Sequence, residues 1–170
     1  MKISSLLKPK DIITLASATF GILSIFLLIR GRFDVAALFL VIAAFLDYAD
    51  GKVARKVGPT KYGHFLDLAD LSSFGVAPAL FIVLWLKPDF SLIGILIYLA
   101  AICLFLTGLL RLARFFTLGT QINYSVGLPI TFNGVIFPFL WFIHANNIEI
   151  IIASFLVSAL MIGTFRLSKK

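Results

Sequence analysis

The sequence predicts an all-α integral membrane protein with six transmembrane helices, a single domain over residues 1–170. Three observations carry that prediction. Hydrophobic residues make up 61% of the chain and charged residues 14%, where a soluble domain carries about 25% charged. Mean hydropathy is +1.06, and a soluble fold of this size cannot enclose so much apolar surface. Third, residues 12–29, 35–46, 71–86, 90–110, 115–148 and 150–165 contain no Asp, Glu, Lys or Arg. No sustained period-two alternation accompanies these runs, so barrel strands are excluded.

A bilayer core of ~30 Å needs roughly 20 helical residues, and the elements follow from fitting that length. The first helix takes 11–30 and ends at Gly31. The charge-free run 35–46 is too short alone, so the second helix continues through Asp47 and Asp50 to 34–57, ending before Gly58-Pro59. The third needs residues from His64 onward and covers 64–86, stopping at Pro88. The fourth, 91–116, fits without help. Thr117 to Ser125 reads as a loop, so the fifth helix is 126–144. Asn146-Asn147 then open the sixth, 148–166. These breaks are recognised turn and helix-end signals.

Orientation follows from Lys and Arg. One side holds Lys2, Lys8, Lys10, Lys52, Arg55, Lys56, Lys61, Arg111, Arg114, Arg166, Lys169 and Lys170; the other holds Arg30, Arg32 and Lys87. Twelve against three places both termini in the cytoplasm. Trp85 and Trp141 fall near the outer ends of their helices, where an aromatic belt is expected. The net charge of +7 is thereby explained by topology, with no nucleic-acid partner. Cys103, the single cysteine, excludes an intramolecular disulfide and a multi-cysteine metal site; it reads as buried filler. No cleavable signal peptide is evident. His144 marks an outer interface.

Of eight acids in the chain, four fall within 24 residues: Asp47, Asp50, Asp67 and Asp70. Within each pair the i, i+3 spacing puts both carboxylates on one helix face, and the second and third helices form a hairpin that lets those faces meet. Each carboxylate at membrane depth costs ~2.5–3.5 kcal/mol on insertion scales. Divalent cations offset that cost, and an oxygen-only donor set selects hard ions such as Mg²⁺, Ca²⁺ or Mn²⁺. The bland alternative has some of these aspartates capping helices or pairing with Lys52, Arg55 and Lys61. The run from Asp47 to Arg55 reads D-Y-A-D-G-K-V-A-R. Gly51 permits close approach to the backbone, and Arg55 offers a permanently charged planar fork. Cations, a glycine and an arginine are the parts needed to handle a pyrophosphate.

This pattern resembles the CDP-alcohol phosphatidyltransferase family, whose signature is D-x-x-D-G-x-x-A-R, eight residues, G, three residues, D, three residues, D. Asp47, Asp50, Gly51, Ala54 and Arg55 match it, and Gly63 and Asp67 keep the glycine-to-aspartate spacing. Seven residues rather than eight separate Arg55 from Gly63, and two rather than three separate Asp67 from Asp70. One residue is ~100° of helix rotation, so Asp67 or Asp70 points differently from its counterpart. The resemblance implies a six-helix membrane enzyme, commonly a homodimer, with its site facing the cytoplasm from the cell membrane. Such an enzyme moves a phosphatidyl-type group from a CDP-linked lipid to an alcohol and releases CMP. Asp47, Asp50 and Asp67 would ligate two Mg²⁺ or Mn²⁺ ions, with Asp70 on the second ion and also taking the acceptor hydroxyl's proton. Gly51, Ala54 and Arg55 would contact the CDP moiety, and Gly63 would line the site.

S-F-G-V-A-P-A at 73–79, R-L-A-R-F at 111–115 and G-L-P at 127–129 look like the phosphatidylserine synthase branch. That implies L-serine as acceptor and CDP-diacylglycerol, or CDP-archaeol, as donor. G-L-P-I-T stands where the branch usually has G-L-P-S-P, and Ser17 stands where asparagine is common. Arg111 and Arg114 read either as positive-inside anchors or as an anion clamp. Because glycerol 3-phosphate or inositol phosphate would also want cations there, a phosphorylated polyol acceptor stays open. A cation transporter is the reading from another class, but it predicts acids spread through the membrane depth.

Overall fold

The computed structural model describes residues 9–57, 68–118 and 124–168, with backbone alone at 9–10, 54–57, 118, 124–125 and 166–168. Described in chain order, helix α1 (Pro9–Ile29) turns sharply into α2 (Phe33–Val57). Gly31, at φ +71, donates to the Leu28 carbonyl while Arg32 donates to that of Leu27. This left-handed glycine closure satisfies the last carbonyls of α1 within three residues. The antiparallel α1/α2 contact is built on small residues, the expected solution where lipid removes the hydrophobic drive between helices. Ser17 donates to the Ala43 carbonyl and Ser24 to that of Ala36, each at 2.9 Å. Ser17 and Ser24 are two turns apart, as are Ala43 and Ala36, so the hydroxyls repeat along one seam.

Helix α3 (Ala69–Leu86) is α-helical at Ala69–Leu71 and Ala77–Leu86, with a π turn over Ser72–Val76 between them. Its cause is Pro78. Proline has no N–H, and its ring collides with the carbonyl four residues back, here that of Phe74. The helix widens so that the Ala77 N–H reaches the Ser72 carbonyl, five residues away. The stranded Phe74 carbonyl accepts instead from Asn133 Nδ2 at 2.7 Å. No residue from Ala69 to Leu86 is exposed, so α3 forms the centre of the bundle. Phe74, Ile82 and Phe137 lie in one core cluster and Leu40, Ala77 and Phe81 in another. Gly21 of α1 allows this closeness: a Cβ there would fall 2.0 Å from Ser73 Oγ.

Helix α3 ends on Lys87, in the left-handed region at φ 43. Ser91 caps α4 (Leu92–Leu118), its hydroxyl accepting from the Gly94 N–H at 3.2 Å. Strands β1 (Tyr124–Val126) and β2 (Arg166–Ser168) pair antiparallel, Ser125 opposite Leu167. Helix α5 (Ile130–Phe142) opens with a tight turn at Ile130–Phe132. It begins later than residue 126 because Gly127 turns at φ +71, packed against the carbonyls of Leu160, Met161 and Gly163, and because Pro129 is extended. Helix α6 (Asn147–Ile162) starts in a capping box between Asn146 and Glu149 and ends at Gly163, short of residue 166.

Among the described residues, three helices are long and apolar enough to cross a membrane: Asp11–Ile29, Ala69–Leu86 and Leu92–Thr117. Helix α2 has the length, but carries Asp34, Asp47, Asp50 and a basic end. Helices α5 and α6 are shorter apolar helices. Phe26, Phe45, Leu110, Phe139 and Ile152, on five different helices, are each more than half exposed. An outer surface this apolar fits lipid, not water.

Candidate active site

The aspartates sit where α2, α3, α4 and α5 converge. Asp47, on α2, is partly buried, and its Oδ2 accepts from Thr131 Oγ1 of α5 at 2.6 Å. Its carboxyl also shares a side-chain hydrogen bond with Asp70 of α3, and the Arg111 charge from α4 acts on both. Neighbouring carboxylates repel as bare anions, and a shared proton or a cation between them relieves that repulsion. Arg111 also lies against the Phe115 ring, 5.9 Å from its centroid. One turn beyond Asp47, buried Asp50 accepts from Thr14 Oγ1 of α1 at 2.6 Å. Asp47 and Asp50 thus each have one carboxylate oxygen bonded to a threonine of another helix, whereas Asp34, at the other end of α2, accepts from Trp141.

Gly51 follows, on the face of Asp47 at i+4. A Cβ built there would meet nothing within 4 Å, so no packing within the described residues requires a glycine. An interior helical glycine costs roughly 0.5–1 kcal/mol relative to alanine, and the space it leaves opens outward. Ala54 and Arg55 continue α2, their side chains lying outside the described residues, as do Gly63, His64 and Asp67 altogether. Arg114 is turned elsewhere: its guanidinium donates to the carbonyls of Ile162 and Gly163 at 3.0 and 3.2 Å, closing the C-terminus of α6. Sequence reasoning singled out neither Thr14 nor Thr131, nor Asp11, which is fully buried on α1. The signal for Thr131 was the altered G-L-P-I-T, which supplies a hydroxyl two residues after Pro129.

Among the described residues no three His, Cys, Asp or Glu side chains make a complete metal centre; Asp67 lies outside them. The donors that do converge are oxygens from carboxylates, with no sulfur or imidazole among them. That set fits a hard divalent cation and does not fit zinc.

Clustered carboxylates beside a guanidinium, on helices with an apolar outer surface, are a donor set that suits divalent cations and phosphate groups. The chain belongs to the CDP-alcohol phosphatidyltransferase family, whose family model matches residues 9–165; the family is generally dependent on divalent cations. It is 38% identical over 134 residues to the archaetidylserine synthase of Methanothermobacter thermautotrophicus, covering 76% of this chain and 55% of that protein. It is 33% identical over 159 residues to the CDP-diacylglycerol–serine O-phosphatidyltransferase of Bacillus subtilis, covering 91% and 86%. The protein of that name from Methanocaldococcus jannaschii is 32% identical over 170 residues, covering 98% and 77%. The chain therefore spans about half the length of the first relative and most of the other two. A transferase family sets the transporter reading aside.

Proposed function

We propose that this chain transfers a phosphatidyl-type group from a CDP-linked lipid to the hydroxyl of L-serine and releases CMP. The observation that carries the proposal is the meeting of Asp47, Asp70 and Arg111 from three helices, Asp47 being a position of the family signature, in a chain whose relatives are serine transferases by name. The serine oxygen attacks the lipid-linked phosphorus as the bond from that phosphorus to CMP breaks. Asp70 receives the hydroxyl proton and CMP leaves with the electron pair. Asp47, Asp50, Asp67 and Asp70 would hold two divalent cations, Mg²⁺ or Mn²⁺, which when bound neutralise charge on the pyrophosphate. Gly51, Ala54, Arg55 and Gly63 receive the CDP moiety. Arg111 faces the acceptor or the lipid phosphate; Arg114 supports it from the next turn while holding α6.

All six helices cross the bilayer in this reading, both termini are cytoplasmic, and the site opens to the cytoplasm of the cell membrane. The shorter α5 and α6 span with their flanking segments, and α2 spans because its acids lie at the cytoplasmic end. The protein acts as a homodimer, as members of its family commonly do.

The test is CMP release by purified protein in detergent, with CDP-diacylglycerol or CDP-archaeol and with serine, glycerol 3-phosphate or inositol phosphate supplied separately. Metal-dependent release with serine alone is expected, abolished by EDTA and restored by Mn²⁺ or Mg²⁺. Release only with a phosphorylated polyol would refute the serine assignment. Release unaffected by EDTA would refute the cation site.

A further inference from the structure

We propose that Thr131 and Asn133, at the start of α5, are positioning residues that set how Asp47 and Asp70 face one another. The two side chains are two residues apart and bond to the two helices bearing those aspartates. Thr131 Oγ1 donates to Asp47 Oδ2 at 2.6 Å. Asn133 Nδ2 donates to the Phe74 carbonyl at 2.7 Å, inside the π turn that begins two residues after Asp70.

The Asn133 contact is specific in origin. Phe74 lacks its ordinary helical donor because Pro78 has none. A buried carbonyl without a partner is costly, and Asn133, fully buried itself, supplies the missing N–H. Its own Oδ1 has no hydrogen-bond partner among the described residues, so the carboxamide sits there for its donor alone. The π turn matters to Asp70 through geometry. Inserting one residue into a helical turn changes the phase of everything N-terminal by one residue, ~100° about the axis. Without the widened turn, Asp70 would lie ~100° away from the face that now meets Asp47.

Thr131 acts directly. A hydroxyl bonded to one carboxylate oxygen fixes the side-chain rotamer and presents the other oxygen in one direction, as partners of ligating carboxylates do. Together these bonds make the first turn of α5 a strut between α2 and α3, absent from the aspartate motif itself. Aspartates held in register without cation cross-links bind the cation faster and more tightly than aspartates that must be ordered by it.

The inference rests on the cation reading above, and the experiment separates the two. Mn²⁺ binding to purified protein in detergent is followed by the electron paramagnetic resonance of free Mn²⁺, without any substrate. Wild type should bind. Thr131→Val and Asn133→Leu should each weaken binding by about 10–100-fold, while Thr131→Ser, which keeps the hydroxyl, should bind like wild type. Ser24→Ala removes a buried interhelical hydroxyl bond of similar length far from the aspartates and should lower thermal stability without moving Mn²⁺ affinity. Should Thr131→Val fail to fold, Thr131→Ala carries the same comparison. Wild-type affinity in folded Thr131→Val and Asn133→Leu would overturn the strut and leave the cation site standing, as would weakening in Ser24→Ala equal to theirs. No binding by wild type would overturn the cation reading and the inference with it.

Discussion

Gly51→Ala separates stability from activity, because the two should move in opposite directions. Gly51 lies inside α2, six residues from its end, and an added Cβ meets nothing within 4 Å. Alanine in place of glycine in a helix interior stabilises by roughly 0.5–1 kcal/mol. For a chain of this size 1 kcal/mol moves Tm by about 2–4 °C, so the variant should melt about 1–4 °C higher than wild type in the same detergent. If the space over Gly51 receives the CDP moiety, the new methyl holds the donor away from Asp47 and Asp50. Displacement of a reacting group by ~1 Å costs on the order of 10²-fold. CMP release should therefore fall by about 10–100-fold, with KM for the CDP-lipid raised. Steady-state CMP release against donor concentration, beside a thermal melt of the same preparation, reads both effects. A higher Tm with unchanged kinetics would refute the donor-approach role. A lower Tm would refute the geometric premise that the space is free.

Asp47→Asn and Asp50→Asn should each abolish CMP release while the protein elutes and melts as a folded species, since both variants keep the threonine hydroxyl contact and lose the charge; turnover near wild type in either would remove the metal-site argument. Arg111→Gln should lower transfer strongly with little change in Tm. Arg114→Gln should instead lower stability by about 1 kcal/mol, because it uncovers the α6 carbonyls at a part-exposed site; a larger activity loss for Arg114 than for Arg111 would reverse their roles. At the α3–α4 turn, bonds from the Ser91 hydroxyl and N–H hold the Asp89 carboxyl below the usual carboxylate range. A depressed pKa adds stability that is present above the unfolded value near 4 and lost as pH falls through the folded one. Asp89→Asn should therefore flatten the loss of Tm below about pH 4, and an unchanged acid slope would show that Ser91 has no such hold.

The sequence was informative wherever the physics is local. Charge-free runs and breakers located the helices, and the glycine and asparagine stops at Gly31 and Asn146 fell where the structure turns. The i, i+3 pairing of Asp47 and Asp50 and the match to the family signature pointed to the convergence site before any coordinates. What escaped depends on residues far apart in the chain. Thr131 reaches Asp47 across 84 residues, and a threonine in a loop motif carries no periodic signal of that contact. The late start of α5 at Ile130 reflects Gly127 docking on the α6 terminus, which a hydropathy pattern cannot report. Pro78 was legible as a helix disturbance, but its result, a π turn relieved by a side chain from another helix, required the packed bundle. Arg114 is a further case: its i, i+3 spacing from Arg111 was legible, but the bonds from its guanidinium to the α6 carbonyls were not.

The central position of α3, with no exposed residue, has a consequence for biosynthesis. A helix packed against α1, α2, α4 and α5 cannot take its final place until those neighbours exist. Asp47, Asp50 and Asp70 are synthesised 60 or more residues before the α5 turn whose Thr131 and Asn133 bond to α2 and α3. Until α5 is made, the α1/α2 hairpin can seal along its serine seam, but the aspartates lack their strut and the Phe74 carbonyl lacks a donor. Assembly order therefore leaves a half-made chain without the two α5 bonds that reach α2 and α3.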